Sequence, residues 1–165
     1  MNKLHMTLGA LSVCAIAALS ACGGGGSSGP KAVTIDFAAV AGSTAINCAS
    51  TVTNLGTTNA QGTLSDLRFY VSNVKLVKAD GSTQALTLDK TDDFNATLGS
   101  DTVSLIDLED KTGTCAGTTA MNTSIKGTVP AGDYVGMKMT LGVPFAMNHT
   151  DAAADTAVTP AVINN

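Results

Sequence analysis

Apolar and polar residues alternate with a period of two through much of the chain after residue 30. Val33, Ile35 and Phe37 alternate with polar residues, and residues 67–71 repeat the pattern. This period places successive side chains on opposite faces of a β-strand. No segment of helical period and useful length follows residue 30. Short strands separated by turn residues predict an all-β domain, an antiparallel sandwich or barrel.

Two local features refine the predicted strands. The apolar positions change parity between residues 71 and 74. A β-bulge or tight bend near Ser72-Asn73 would explain this slip, because one extra residue on a strand shifts every later side chain to the other face. The pair Asp80-Gly81 then predicts a hairpin turn.

The strongest alternation lies at residues 135–143, where every odd position is apolar. This pattern predicts a strand with one buried face and one wet face, preceded by a turn at residues 130–133. After Val143 the pattern fades, and residues 151–157 are small and weakly polar. We therefore assign the domain to residues 31–165 and expect it to be incomplete at its C-terminus.

The N-terminus predicts export. Lys3 and His5 precede an apolar stretch at residues 8–19, which is shorter than the roughly 20 residues of a spanning helix and suits a signal peptide at residues 1–21. The junction that ends at Cys22 resembles a bacterial lipobox, which implies a lipidated thiol. The Gly- and Ser-rich remainder of residues 22–30 is typical of a flexible tether. We expect a membrane-anchored protein of the bacterial envelope, at the outer membrane or its periplasmic face.

Charge and cysteine usage narrow the function classes. The formal net charge is −4, which disfavours nucleic acid as a partner. After export and lipidation, Cys48 and Cys115 remain in the domain. Outside the cytoplasm two cysteines most simply form one disulfide, and the alternative is a pair of thiolates that bind a metal.

Motifs of catalysis are missing from the sequence. It contains no GxSxG, CxxC or HExxH motif and no phosphate-binding glycine loop. His149 is the one histidine after the predicted signal peptide, so any Ser-His-Asp relay would have to use it. We expect a protein that is not an enzyme.

Acidic residues form two candidate sites. Asp66 and Arg68, two positions apart, are expected to pair or to bind a ligand jointly. Asp107 and Glu109, with Asp110, offer the oxygen ligands that Ca²⁺ prefers. The alternative is a solvated strand end with a local ion pair.

A softer set of ligands lies near the C-terminus. Met147 and His149 are expected on one side of an extended segment, and a thioether with an imidazole favours Cu(I) over harder cations. The alternation that includes Met137 and Met139 assigns those two side chains to the core.

Three ordered segments together resemble the MbnP-like family of periplasmic or lipid-anchored proteins associated with copper handling. They are residues 66–76 (DLRFYVSNVKL), residues 105–115 (LIDLEDKTGTC) and residues 127–149. The resemblance covers roughly residues 33–151. It implies an antiparallel, Greek-key-like β-sandwich that binds copper, beside a dihaem cytochrome c peroxidase-like partner.

The resemblance carries over to few site residues. His149 is the position that matches a copper ligand, and Cys48 and Cys115 match the expected disulfide. Relatives also use a tryptophan that is oxidised to kynurenine, whereas this sequence contains no tryptophan. Either a segment follows Asn165 or the site is incomplete. The leading hypothesis is a copper-binding protein, and the alternative is a surface module that binds protein or glycan without metal.

Overall fold

The structure is a computed structural model that describes residues 29–90 and 92–149. The predicted signal peptide, Cys22 and most of the tether lie outside the described residues, as do residues 150–165. Within the described ranges, no helix is both long and apolar enough to cross a membrane.

These ranges contain twelve β-strands and one short helix. In chain order they are β1 (Lys31–Asp36), β2 (Val40–Ala41), β3 (Thr44–Ala45), β4 (Thr51–Leu55), β5 (Ala60–Thr63), β6 (Arg68–Val77), β7 (Thr83–Ala85), β8 (Thr87–Leu88), β9 (Asn95–Leu98), β10 (Asp101–Asp107), β11 (Ser124–Val129), β12 (Gly136–Leu141) and α1 (Phe145–Asn148).

The strands form two main sheets and two small hairpins. One sheet has the order β1-β11-β8, and the other has the order β12-β6-β10-β9 with β7 also paired to β6. The hairpins are β2-β3 and β4-β5. Every strand pairing is antiparallel. The prediction of an all-β, antiparallel sandwich is confirmed.

The main core lies between the two larger sheets. It combines Ile35 of β1 and Ile125 of β11 with residues of β6 and β10, which belong to the other sheet. The alternation predicted for the first strand is confirmed, since Ile35 and Phe37 are buried there. Burial of apolar side chains from both sheets in one cluster holds the two layers face to face.

Strand β10 is buried on both of its faces, which sets the position of the short helix α1. Ile106 packs into the main core, whereas its neighbour Leu105 belongs to a second cluster with Val103, Ala96 and Met147. Neighbouring residues of a strand point to opposite faces, so this second cluster covers the outer face of the five-stranded sheet. The short helix α1 is fixed there by Met147.

The predicted bulge in β6 is confirmed. Lys138 of β12 pairs with Lys75 and Thr140 pairs with Ser72, so three residue steps on β6 match two on β12. Asn73 has a positive φ of 52°. Its side-chain amide donates to Asp101, which joins the bulge to the start of β10. The extra residue explains the change of parity in the sequence.

The hairpin turn predicted at Asp80-Gly81 is also confirmed. The prediction for the strand at residues 135–143 is only partly correct. Gly81, with a φ of 83°, lies in the turn that joins β6 to β7. In β12, Met137 and Met139 pack against the core as expected. Val135 and Leu141 are 68% and 76% exposed, so their predicted burial is wrong. Val135 precedes β12 and Leu141 ends it, and β12 is an edge strand whose one neighbour in the sheet is β6.

Candidate functional site

Two regions carry the residues that the sequence singled out, and the first is built around a disulfide. Cys48 and Cys115 are bonded to each other, with their Cα atoms 5.4 Å apart and a sequence separation of 67. The predicted disulfide is confirmed. In this oxidised state neither sulfur is a thiolate, so the alternative of a thiolate pair does not describe it.

We call residues 109–117, which lead into and out of Cys115, the disulfide loop. Its backbone is tightly wound, with positive φ values at Lys111, Gly113 and Gly117. A Cβ atom at Gly113 would collide with the backbone carbonyl of Cys48. Glycine therefore permits the close approach of the two chain segments that the disulfide joins.

Glu109 lies at the start of the disulfide loop and is fully buried, with 0% of its surface exposed. Its Oε2 accepts a long hydrogen bond of 3.4 Å from the backbone N–H of Lys111. Its Oε1 has no hydrogen-bond partner. A Cβ atom at Gly117 would collide with this oxygen, so the glycine makes room for the carboxylate. A buried carboxylate with an unpartnered oxygen is costly and calls for a physical reason.

Asp107 is buried just before the loop, at the end of β10, and is 3% exposed. Its Oδ1 accepts the backbone N–H of Glu109 at 3.2 Å. Burial raises the pKa of the Asp107 carboxyl above its ordinary value of 3.8. The hydrogen bond from Glu109 N–H opposes that shift, the Glu109 carboxylate adds to it, and Arg68 opposes it. The interpretation of Asp107 and Glu109 as a solvated strand end is wrong, because both carboxylates are buried.

The three carboxylates at positions 107, 109 and 110 are not gathered into one cluster. In the described part of the chain, the one group of three or more His, Cys, Asp or Glu side chains with donor atoms within 4.8 Å of one another is Cys48, Glu109 and Cys115. The Asp110 carboxylate instead accepts hydrogen bonds from the backbone and hydroxyl of Thr112, which lower its pKa.

The predicted pairing of Asp66 with Arg68 is confirmed. The Arg68 guanidinium donates to both carboxylate oxygens, with the shortest distance 2.6 Å from Nη2 to Oδ2. These hydrogen bonds lower the pKa of Asp66. The pair lines an open groove of about 350 Å³ together with Tyr70 and Leu105. The two charges balance each other within the groove.

The second region, residues 144–149, we call the C-terminal turn. The prediction of an extended segment is wrong here, because Phe145–Asn148 form a single helical turn after Pro144. Met147 has no exposed surface and packs with Val103 and Leu105. His149 is exposed at the end of the turn. The thioether and the imidazole therefore occupy a buried and an exposed position, and their role as metal ligands remains a prediction.

An aromatic stack holds the imidazole of His149. Its ring lies 3.8 Å from the ring of Phe145, centroid to centroid, at an interplanar angle of 22°. The Nδ1 atom lies 3.0 Å from the carbonyl oxygen of Phe145. In the tautomer in which Nδ1–H donates to this carbonyl, Nε2 keeps a lone pair for a ligand.

Sequence reasoning missed the two features that organise these regions. It gave no role to Phe145, although a spacing of four residues from His149 is one helical turn. It also did not foresee that Glu109 is buried beside the disulfide. The signal available for that was the pair of glycines at positions 113 and 117, which permit a loop tight enough to enclose a side chain.

The fold and these regions define a class: an antiparallel β-sandwich whose long loop is joined to the domain by a disulfide, with an oriented imidazole on a terminal turn. A profile of the MbnP family matches residues 30–164, and the chain belongs to this family. The resemblance found in the three sequence segments is thereby confirmed.

A solved structure supports the same assignment. MbnP from Methylosinus trichosporium superimposes with a TM-score of 0.68 at 28% sequence identity. The match covers 82% of this chain and 48% of that protein, so the chain matches about half of the length of this relative. Among curated proteins, no match was found.

Proposed function

We propose that this protein is a lipid-anchored copper-binding protein of the bacterial envelope that acts in copper acquisition or homeostasis and is not an enzyme. Membership of the MbnP family supports a link to copper, because the resemblance implies copper handling. Copper is the cargo in this proposal.

The observation that carries the proposal is the geometry of His149. The imidazole is exposed, stacked on Phe145, and within hydrogen-bond distance of a backbone carbonyl through Nδ1. Metal-binding histidines commonly donate their second ring N–H to a carbonyl or carboxylate, which fixes the tautomer and the ring orientation. Nε2 of His149 is thus a preorganised nitrogen donor.

The thioether of Met147 suits Cu(I) by its softness. In the structure it fills the second cluster, two residues before the exposed imidazole. The two donors would hold the same ion only after the C-terminal turn opens and Met147 leaves the cluster. We therefore assign His149 as the primary ligand and Met147 as a donor recruited upon binding.

The anchor and the partner complete the proposal. Lipid on Cys22 and the Gly-rich tether would hold the domain close to the membrane, at the outer membrane or its periplasmic face. A dihaem cytochrome c peroxidase-like protein is the proposed partner, because the family resemblance implies it.

Titration of the full-length protein, with Cys14 and Cys22 replaced by serine, with Cu(I) against a competing chromophoric chelator tests this function. We expect His149→Ala to weaken Cu(I) binding by at least about tenfold, because it removes the primary donor. Met147→Leu keeps the packed volume and removes the sulfur, so it should weaken binding less. The neighbouring Asn148→Ala is the matched control and should bind as the wild type does. Unchanged affinity in His149→Ala would contradict the proposal.

One observation favours a second candidate, a surface module that binds a protein or glycan without metal. Val135, Leu141 and Phe145 are large apolar side chains that are more than two-thirds exposed, at and beyond the ends of an edge strand. Exposed apolar residues near an unpaired strand edge are typical of interaction surfaces. A pull-down from envelope extract that returns no specific partner, together with clear copper loading, would dispose of this candidate.

A further inference from the structure

The buried carboxylate of Glu109, one oxygen of which has no hydrogen-bond partner, lies beside the one disulfide of the described chain, and the two features together point to a second metal site. The sulfurs of Cys48 and Cys115 and a carboxylate oxygen of Glu109 lie within 4.8 Å of one another. All three side chains are at most 9% exposed. We propose that reduction of the disulfide converts this cluster into a site for Zn²⁺, with two thiolates and the Glu109 carboxylate as ligands and water in the fourth position.

The donor chemistry fits this ion. Zn²⁺ binds thiolate sulfur at about 2.3 Å and carboxylate oxygen at about 2.0–2.2 Å, in a tetrahedral arrangement. Two sulfurs on such an ion stand about 3.8 Å apart, so they need to separate only slightly beyond van der Waals contact once their bond is broken. Three donors within 4.8 Å of one another can therefore converge on one ion through side-chain rotations.

The unpartnered carboxylate oxygen of Glu109 indicates a bound cation independently of the distances between the three donors. Glu109 Oε1 is buried without a hydrogen bond, and Gly117 leaves the space that the carboxylate occupies. Removing a carboxylate oxygen from water without a partner is unfavourable. A cation bound by the Glu109 carboxylate and the two thiolates would supply the missing interaction and would leave the three-ligand site with a net charge of −1.

The site would survive reduction because other bonds hold the disulfide loop in place. The backbone N–H of Thr114 donates to the carbonyl of Cys48 at 3.3 Å, and that of Ala116 donates to the carbonyl of Ser65 at 2.9 Å. The hydroxyl of Thr114 donates to the carbonyl of Leu64 at 2.7 Å. These bonds connect the loop to two distant segments without using the sulfurs.

A backbone group also favours the thiolate form of one cysteine. The N–H of Asp110 points at the sulfur of Cys48, with a nitrogen–sulfur distance of 3.4 Å. A hydrogen bond from an amide to a metal-bound thiolate orients the ligand and stabilises its negative charge. This contact is already present in the oxidised structure, so the site is partly preorganised.

The reaction balances with a dithiol as the reductant. A dithiol transfers two electrons and two protons to the Cys48–Cys115 disulfide by thiol–disulfide exchange and is itself oxidised to a disulfide. Zn²⁺ then displaces the two thiol protons, and binding releases two protons per ion. In an oxidising envelope the disulfide persists and the sulfurs cannot bind Zn²⁺. Zinc uptake at this site would therefore indicate a reducing environment.

Zinc binding by the full-length protein in its two redox states, with Cys14 and Cys22 replaced by serine so that Cys48 and Cys115 are the remaining cysteines, tests this inference. The disulfide is reduced with a phosphine, which becomes a phosphine oxide with oxygen from water and adds no competing thiol. Zn²⁺ is then titrated against a chromophoric chelator, while circular dichroism monitors the β-sheet signal. We expect the reduced protein to bind about one additional Zn²⁺ compared with the oxidised protein.

Variants then assign the ligands. Glu109→Gln should weaken zinc binding by the reduced protein at least about tenfold, whereas the exposed Asp133→Asn should leave it unchanged. Replacing zinc with Co²⁺ should give a sulfur-to-metal charge-transfer band that is lost in Cys115→Ser. His149→Ala should leave zinc binding intact, which separates this site from the proposed copper site.

Three results would overturn the inference. They are equal zinc binding by the oxidised and reduced proteins, unchanged affinity in Glu109→Gln, and a reduced protein that takes up no zinc. The third result counts against the inference whether or not the β-sheet signal persists, because the proposed site requires the reduced protein to bind zinc.

Discussion

The disulfide loop and the C-terminal turn hold their candidate ligands in opposite ways. In the loop, Cys48, Glu109 and Cys115 are buried, and positive φ values and a covalent bond fix the backbone. In the turn, His149 is exposed and the backbone makes a single helical turn, fixed to the sheet by buried Met147. In the disulfide loop, the bond between the two sulfurs prevents them from binding a metal, whereas the C-terminal turn presents the imidazole of His149 to solvent.

This difference separates two routes to metal binding. A buried cluster needs a chemical change before it accepts an ion, and its ligands are then already close together. An exposed imidazole accepts an ion at once, but further donors must move to reach it. The turn therefore suits exchange of a cargo ion, and the loop suits a site controlled by redox state.

Removing the disulfide should have the largest effect on stability. We expect Cys48→Ala/Cys115→Ala to lower the free energy of unfolding by about 4 kcal/mol, because the disulfide closes a loop of 67 residues in the unfolded chain. Urea unfolding of the oxidised wild type and the double variant measures the difference. A loss below about 1 kcal/mol would contradict the stabilisation assigned here to closing this loop in the unfolded chain.

The C-terminal turn should depend on its one buried side chain. Met147→Ala is expected to cost about 2–4 kcal/mol through the cavity it leaves, and Met147→Leu less than about 1.5 kcal/mol. Phe145→Ala, at a side chain that is 76% exposed, should stay within about 0.5 kcal/mol. The same unfolding measurement applies, and equal losses in Met147→Ala and Phe145→Ala would contradict the packing described here.

The buried carboxyl of Asp107 should show in the pH dependence of stability. Burial raises its pKa above 3.8, so above this pH the folded state holds more protons on this group than the unfolded state does. Its contribution to the free energy of unfolding is therefore present at low pH and is lost as pH rises through the raised pKa.

Comparison with Asp107→Asn isolates that contribution. The wild type should lose stability relative to this variant as pH increases from about 4 to 7, as followed by urea unfolding at each pH. Asp133→Asn, at an exposed carboxylate, is the control for removing one charge. A difference that does not change with pH, or that changes in the opposite direction, would contradict the burial of Asp107.

The smallest effect is expected at the ion pair of Asp66 and Arg68. Both side chains are partly exposed, at 46% and 33%. Asp66→Asn should cost less than about 1 kcal/mol, and the cost should shrink at high salt. A larger loss that persists in salt would assign the pair a structural role comparable to that of the disulfide loop.

The features that depend on the local pattern of apolar residues could be predicted from the sequence. The features that depend on the position of a strand in the sheet, or on packing against the sheet, could not. The bulge at Asn73 was predictable, because one extra residue reverses the apolar parity of a strand. The exposure of Leu141 was not, because alternation does not reveal that β12 lies at a sheet edge. Residues 145–149 were predicted as extended, but they form one helical turn. This turn lets the side chain of Met147 pack on the outer face of β10, and the local sequence pattern does not reveal that packing.

The disulfide loop shows the same division. Two cysteines left in a domain that is predicted to be exported predict their bond from composition alone. The burial of Glu109 depends on Gly113 and Gly117, whose positive φ values bring distant segments into contact. The spacing of Asp107, Glu109 and Asp110 gave no indication that the first two carboxylates would be buried and that the third would accept hydrogen bonds from Thr112.

X-ray absorption at the copper edge of the oxidised, Cu(I)-loaded full-length protein, with Cys14 and Cys22 replaced by serine, tests the proposed function most directly. In the oxidised state the sulfurs of Cys48 and Cys115 are bonded to each other, so a thioether is the sulfur donor expected. We predict scattering from an imidazole together with a sulfur neighbour, with the imidazole signal lost in His149→Ala. A spectrum without imidazole scattering, or one that is identical in the wild type and His149→Ala, would contradict the account.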